Sequence, residues 1–402
     1  MSDESVAPTP APAIPAEGAS PMEVLPRGLR RVPHGLDELA TEHLILNMGP
    51  QHPSTHGVLH VLLELDGEEV QAAEASVGYL HRGIEKLAES RKYHQVGTLL
   101  DRADYLSGFH TETAFALTVE KLGEIEVPEK ASWIRSLLME LNRIASHVVW
   151  IGTFGMDAGA MAPFLYMMRD REALLDILES ISGGRMMFNY VRPGGVFDDL
   201  PAGVDDKIRT WLATFGTYLD EWDALLGGNE IFQIRLKNVG VISAETALAF
   251  GLTGASLRGS GVDFDVRRAA PYCAYPELDF EVPLGERGDC WNRYVIRVGE
   301  MRQAARMIRQ LVDGMPEGEF KAKMPRVYKA PAGEAYASVE SPRGELGVHL
   351  ISDGGPTPYR MRLRAPSYYN LSIIDEALAG GLIADAVVIM ASLDIVLGEI
   401  DR

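Results

Sequence analysis

The sequence reads as a mainly helical α+β protein: a helical bundle body with an N-terminal β-hairpin and a small C-terminal antiparallel β region. Three observations predict this. Long central stretches repeat apolar residues at three- and four-residue steps. An apolar run up to Leu65 meets Asp66-Gly67 and continues as alternating residues through Val70. Short strand-like segments near the end are separated by Pro/Gly turns.

Residues 1 to about 25 are rich in Pro, Ala and Ser and lack apolar periodicity, which predicts a disordered tail outside the fold. Residues 26–75 form an N-terminal β region. In it Gly49 to Gly57 is a loop, Leu59 to Leu65 a strand, and Asp66-Gly67 the turn of a hairpin. Residues 76–315 form the helical bundle. One long helix carries Ile134, Leu137, Leu138, Leu141, Ile144, Ala145 and Val148 on a single stripe. Further helices are expected from about Tyr79 to Glu89, Gly97 to Leu122, Met161 to Ile181, Asp205 to Leu226 and Asn292 to Met315. Arg192-Pro193-Gly194-Gly195 and Leu257-Arg258-Gly259-Ser260-Gly261 interrupt them. Residues 316–402 form a C-terminal β/α region, with strands at Ala335–Val339, Leu346–Ile351 and Tyr359–Leu363. Pro342-Arg343-Gly344 and Asp353-Gly354-Gly355-Pro356 are the turns between them.

The formal net charge of -19 argues against a nucleic-acid binder, which needs a Lys/Arg excess to neutralise phosphates. Two cysteines, Cys273 and Cys290, are too few and too far apart for a disulfide framework or a metal knuckle. The start has Asp3 and Glu4 where a secretory or organelle leader would be basic. The most apolar stretch, Leu382 to Ile395, is interrupted by Asp385, Ser392 and Asp394 and falls short of the ~20 residues that span a bilayer, so any work at a membrane is peripheral. No dinucleotide fingerprint, P-loop, nucleophile elbow or zinc helix is present.

The loop Asn47-Met48-Gly49-Pro50-Gln51-His52-Pro53-Ser54-Thr55-His56-Gly57 stands out, with two histidines on a backbone restrained by prolines. It is either a functional loop or a rigid turn whose histidines cap local backbone groups. A zinc site at His52 and His56 has two ligands where three or four are needed. On the helix expected from Gly97, Asp101, Arg102 and Tyr105 share a face that Phe109 continues, which suits either a phenol presented to a ligand or a core tyrosine. Glu140, Arg143 and His147 form a polar line beside the apolar stripe, for which a solvated face is the default expectation. Asp157, amid small and apolar residues, would be costly to bury unpaired.

Taken together, Gly49 to Gly57 resembles the signature of the respiratory complex I subunit, the 49 kDa family, that is related to nickel–iron hydrogenase large subunits. The resemblance continues through Gly78-Tyr79-Leu80-His81-Arg82-Gly83-Ile84-Glu85-Lys86, Leu141-Asn142-Arg143-Ile144-Ala145-Ser146-His147 and Arg192-Pro193-Gly194-Gly195-Val196. It resumes in Leu257 to Val262, Glu345-Leu346-Gly347, Ser352-Asp353-Gly354-Gly355, Arg364-Ala365-Pro366-Ser367 and Ser392-Leu393-Asp394, spanning about residues 43 to 402. Between Glu317 and Glu334 the chain looks shorter than the family, lacking a helical stretch.

The resemblance implies a hydrogenase-like fold and a subunit of a proton-translocating NADH:quinone oxidoreductase. A nickel–iron centre needs four thiolates from two Cys-x-x-Cys pairs. The segments around Tyr105 to Phe109 and around Asp394, where the relationship would place those pairs, contain no cysteine. The vacated cavity is then expected to hold a quinone headgroup, with no metal and no cofactor bound by this chain alone. By resemblance His56 and Tyr105 contact the quinone, Asp157 holds His56 and favours its charged form, and Arg82 and His147 lie near an iron–sulfur cluster on an adjacent small subunit. Other expected partners are neighbouring subunits of the peripheral arm and the membrane subunit of the quinone channel, on the cytoplasmic side of a bacterial inner membrane. The alternatives are a noncatalytic scaffold between the cluster-bearing subunits and the membrane arm, or a hydrogenase-like enzyme, which the missing thiolates disfavour.

Overall fold

The computed structural model describes residues 43–402 except 53 and 54; the expected tail, residues 1–25, lies outside the described residues. Three antiparallel strands come first: β1 (His43–Met48), β2 (His60–Asp66) and β3 (Glu69–Ser76), with β2 between the others. The expected hairpin is β2–β3, closed at Asp66-Gly67. The sheet gains β1, paired from His43 opposite Asp66 to Met48 opposite Val61. Sequence periodicity passed over β1 because the histidine loop, and no tight turn, joins it to β2.

Two short helices, α1 (Ile84–Glu89) and α2 (Tyr93–Leu100), lead into the bundle. Both differ from expectation. Residues 78–83 are not helical, because the chain end captures their backbone: the Asp401 carboxylate accepts from Gly78 N (2.8 Å) and Leu80 N (2.6 Å). The helix expected from Gly97 to Leu122 is broken at residues 101–107, so Asp101, Arg102, Tyr105 and Phe109 do not share one helical face. Side chains compete there for the backbone. Asp104 accepts from Leu106 N and from the Ser107 hydroxyl, and the buried Asp101 accepts from Asn189 N.

The bundle comprises α3 (Gly108–Gly123), α4 (Glu129–Asp157), α5 (Met161–Ser182), α6 (Val204–Leu226) and, after shorter elements, α11 (Cys290–Asp313). Between them lie the two-residue strands β4 (Val191–Arg192) and β5 (Gly195–Val196), then α7 (Glu230–Leu236), α8 (Ala244–Ala249), α9 (Gly254–Gly259) and α10 (Val266–Ala269). The predicted stripe from Ile134 to Val148 is buried, and α4 packs against α3, α5, α11 and a C-terminal helix. A helix covered this completely must bury its polar residues too. Glu140, Arg143 and His147 are accordingly 0% exposed, which overturns the expectation of a solvated face.

A second sheet, β6 (Gly333–Ser341), β7 (Gly344–Ser352) and β8 (Arg360–Arg364), matches the three predicted strands and lies on α3. The chain ends in α12 (Pro366–Leu371), α13 (Ile374–Leu378), α14 (Ile383–Ser392) and α15 (Leu397–Asp401). Residues 316–332, where the family was expected to carry more chain, run irregularly and pair with the Arg192 to Val196 turn: Phe320 O accepts from Val196 N (3.1 Å) and Gly194 O from Ala322 N (2.7 Å). Gly195 fits there because a Cβ would stand 2.4 Å from Phe320 O. Beneath the turn, Arg135 donates to both Glu120 oxygens (2.6 and 3.0 Å) and to the Gly195 and Arg192 carbonyls. No helix among the described residues is long and apolar enough to cross a membrane.

Candidate active site

His56 sits at the tip of the loop between β1 and β2. Thr55, fully buried, holds that loop: its hydroxyl donates to the carbonyls of Pro50 (3.2 Å) and His52 (3.0 Å), and its own carbonyl accepts from Val58 N and Leu59 N. The loop folds so tightly that a Cβ on Gly49 would lie 2.8 Å from the Thr55 hydroxyl and 2.2 Å from Leu59 O. His56 and Gly57 both take positive φ (55° and 78°), the left-handed region. His56 is exposed to solvent although protein surrounds much of it.

Tyr105 is half-buried in the turn between α2 and α3, against α15: a Cβ on Gly398 would lie 3.4 Å from the Tyr105 ring and 2.6 Å from Ala103 O. The same guanidinium, Arg343 of the β6–β7 turn, acts on both groups. Burial and the Arg343 charge hold the His56 imidazole below the ordinary histidine range. Burial raises the Tyr105 phenol above its ordinary value, with Arg343 opposing and Asp104 and Glu399 adding to the rise. Neither the His56 ring nor the Tyr105 hydroxyl makes a hydrogen bond to another described residue, Asp157 included. Burial first, and the Arg343 charge after it, both favour the neutral imidazole.

Arg343 is itself sealed from solvent. It donates to Asp104 (2.8 Å) and to the Ser146 hydroxyl (3.1 Å) and pairs with Asp394 at 3.5 Å. Asp104 precedes Tyr105 and Asp394 follows α14, so the two segments where thiolate pairs were sought do meet. A guanidinium between two carboxylates occupies that junction. Such a donor set does not fit nickel or iron, and among the described residues no cluster of three or more His, Cys, Asp or Glu side chains could hold a metal ion.

The remaining predicted residues fall around this core. Arg82 is exposed, donates to Arg102 O, and its charge reaches Tyr105. Asp157 is half-buried and ends α4. His147 lies deeper, its Nε2 2.8 Å from Glu300 Oε2. Burial takes this imidazole down to about 4 although Glu300 works in the other direction. Glu300 stays well below the ordinary carboxyl range, against the cost of burial, because Arg258 donates to it at 2.6 Å. Arg258 also binds Glu340 (2.7 Å), while Arg143 and Arg267 bind Glu140. Arg343, Asp104, Glu300, Glu340 and Glu399 were missed as site residues. None of them lies in a block that carried the resemblance, and Arg343 was read only as part of the Pro342-Arg343-Gly344 turn.

The roomier clefts lie elsewhere: one of about 530 Å³ between α5 and α6 near Trp211 and Tyr218, and one of about 460 Å³ near Asp223 and Trp291. Neither contains His56 or Tyr105. Both are open surface grooves.

The family pattern described as the 49 Kd subunit of respiratory-chain NADH dehydrogenase matches residues 157–330 and 319–402. The chain belongs to this family. It is 48% identical over 364 residues to a D-type NADH-quinone oxidoreductase subunit of Solibacter usitatus, the second of that type, covering 90% of this chain and 98% of that one. It is also 48% identical to the D-type subunit of Desulforamulus reducens, over 363 residues and 99% of the relative. With the corresponding D-type chain of Citrifermentans bemidjiense the identity is 47% over 389 aligned positions, still 90% of this chain. That alignment is about 25 positions longer, and the family match divides at 319–330, where the sequence looked short. Some 49 kDa family members thus carry extra chain and others, like this one, do not. Members of this family are subunits of a multisubunit oxidoreductase, and this chain functions within such an assembly.

The buried His147 sets a pH response. Folded, it takes up a proton only near pH 4, while an unfolded histidine does so near 6.5. Between those values the unfolded chain binds more protons, so stability falls as pH drops from above 6.5 toward 4, by on the order of 3 kcal/mol. Urea midpoints at pH 7 and 4.5 should show this loss, and His147→Gln, which keeps a donor for Glu300 but does not titrate, should flatten it.

Proposed function

We propose that this chain forms the quinone-reducing site of a proton-translocating NADH:quinone oxidoreductase, with His56 and Tyr105 contacting the two quinone oxygens. The observation that carries this reading is that His56 and Tyr105 both lie within the field of the buried Arg343, and neither ring bonds another described residue. Reducing a quinone by two electrons builds negative charge on its oxygens. Fixed donors and a nearby guanidinium, where water is scarce, stabilise that charge. Neutral His56 donates a hydrogen bond, and its depressed proton affinity suits a group that passes a proton on. Tyr105 keeps its proton until charge appears on the oxygen beside it.

Electrons arrive from an iron–sulfur cluster on a small neighbouring subunit. Exposed Arg82 is placed to approach that partner, and a cation there would raise the cluster's potential. His147, sealed inside, would act on the cluster only through Glu300 and Arg258. The exposed side of His56 is covered by the membrane subunit of the quinone channel and other peripheral-arm subunits. The chain then lies peripherally on the cytoplasmic side of a bacterial inner membrane.

In the quinone-bound state Asp157 engages His56, which then takes up a proton; passing that proton to the reduced quinone leaves the carboxylate uncompensated, which begins the signal to the membrane arm. Asp157→Asn should spare assembly and impair coupled turnover; full proton pumping by that variant rules the signal out. Tyr105→Phe should lower quinone reduction by about a hundredfold while a small artificial acceptor is still reduced by the assembled complex. A scaffold would show no change in either rate.

A further inference from the structure

Glu399, on α15 next to the Gly398 that packs on the Tyr105 ring, is a buried carboxyl whose charge acts on that phenol and that the proposed chemistry leaves unused. One oxygen, Oε1, accepts from Ser367 N at 3.0 Å and from the Ser367 hydroxyl. The other, Oε2, is buried with no partner. Its charged and titratable neighbours are Asp104 and Tyr105 of the turn between α2 and α3, and Arg343 of the β6–β7 turn. Gly398, the preceding residue, packs directly on that turn.

Three carboxyls, those of Asp104, Asp394 and Glu399, thus share one guanidinium unequally. Asp104 takes the direct bond from Arg343 at 2.8 Å, with a second bond from Leu106 N and a third from Ser107. Glu399 has no cation within bonding distance, and an ionised oxygen there would stand bare beside a carboxylate. Environments that drive two acids apart in this way assign one as the ion and the other as the proton carrier.

Resting on the reading of Tyr105 as a quinone ligand, we propose that Glu399 is the internal acid that returns a proton to Tyr105 after the phenol has given its own to the reduced quinone. The balance is simple. The quinone oxygen that has accepted electrons takes the Tyr105 hydroxyl proton and leaves a phenolate. The Glu399 O–H bond then breaks, its proton re-forms the phenol, and the carboxylate remains facing Arg343 until solvent or a neighbouring subunit reprotonates it.

Burial, with Asp104 adding to it, raises the Glu399 carboxyl to about 8. Donation is therefore available below that pH and is lost above it. Quinone reduction by the assembled wild-type complex should decline as pH rises through about 8. Glu399→Gln should reduce the pH 7 rate about tenfold or more and abolish that decline. Ser367→Ala removes a hydrogen bond that favours the charged form, so it should move the decline to higher pH while Glu399 remains. Infrared spectra of the wild-type complex should show a protonated-carboxyl C=O band that disappears between pH 7 and 9, at higher pH in Ser367→Ala, a readout that survives even if Glu399→Gln fails to assemble. Wild-type quinone rates and an unchanged pH profile in Glu399→Gln, or no such band, overturn the proposal. Retained quinone reduction in Tyr105→Phe instead overturns the quinone-site reading beneath it.

Discussion

A guanidinium removed from water must be met by charge on nearly every side or the fold that buries it is unstable. Arg343 satisfies this with Asp104, Asp394 and the Ser146 hydroxyl, which come from the α2–α3 turn, the residues after α14, and α4. One side chain on a tight β6–β7 turn thereby fixes three distant parts of the chain in register. The turn can sit so deep because Gly254 and Gly344 approach each other without side chains: a Cβ on Gly254 would lie 2.5 Å from Arg343 O, and one on Gly344 2.2 Å from the Thr253 hydroxyl. Burial sets the direction in which His56 and Tyr105 titrate, and the Arg343 charge adds to it at His56 and opposes it at Tyr105.

The junction continues inward as alternating charges. Asp394 also faces Arg297 (3.6 Å), which lies over the Trp150 ring, and Arg258 gathers Glu300, Glu340 and Asp265. Deep in this network His110 has no partner on either nitrogen and, through burial and the charges of Arg143, Arg267 and Arg343, stays well below the ordinary histidine range. Such a network is a poor way to gain stability, since well-packed hydrocarbon often does as well. It is a good way to make charge at one end felt at the other, because interactions in a low-dielectric interior are weakly screened.

Much of the frame was legible in the sequence. Four helices, α4, α5, α6 and α11, and the strands β2, β6, β7 and β8 follow from apolar spacing, since each carries a continuous apolar stripe or run into the core. The site was only partly legible. His56 declared itself through an unusual loop, and Tyr105 through resemblance. The break at 101–107 was hidden because Asp104 diverts the backbone with its side chain, a competition that periodicity does not see. Arg343 was hidden more thoroughly, since Pro-Arg-Gly in a turn reads as solvent-facing chain. His147 misled in the same way: a polar line on a helix means water only when nothing covers it, and here α11 does, with a carboxylate ready.

The central claim is that quinone meets this chain at the Arg343 junction and not in its larger surface grooves. A photoreactive quinone, applied to the assembled complex and followed by peptide mapping, tests it most directly. Label on residues 49–57, 102–107 and 394–399 is the predicted result. Label confined to the groove between α5 and α6, or to the cleft near Asp223 and Trp291, would contradict it.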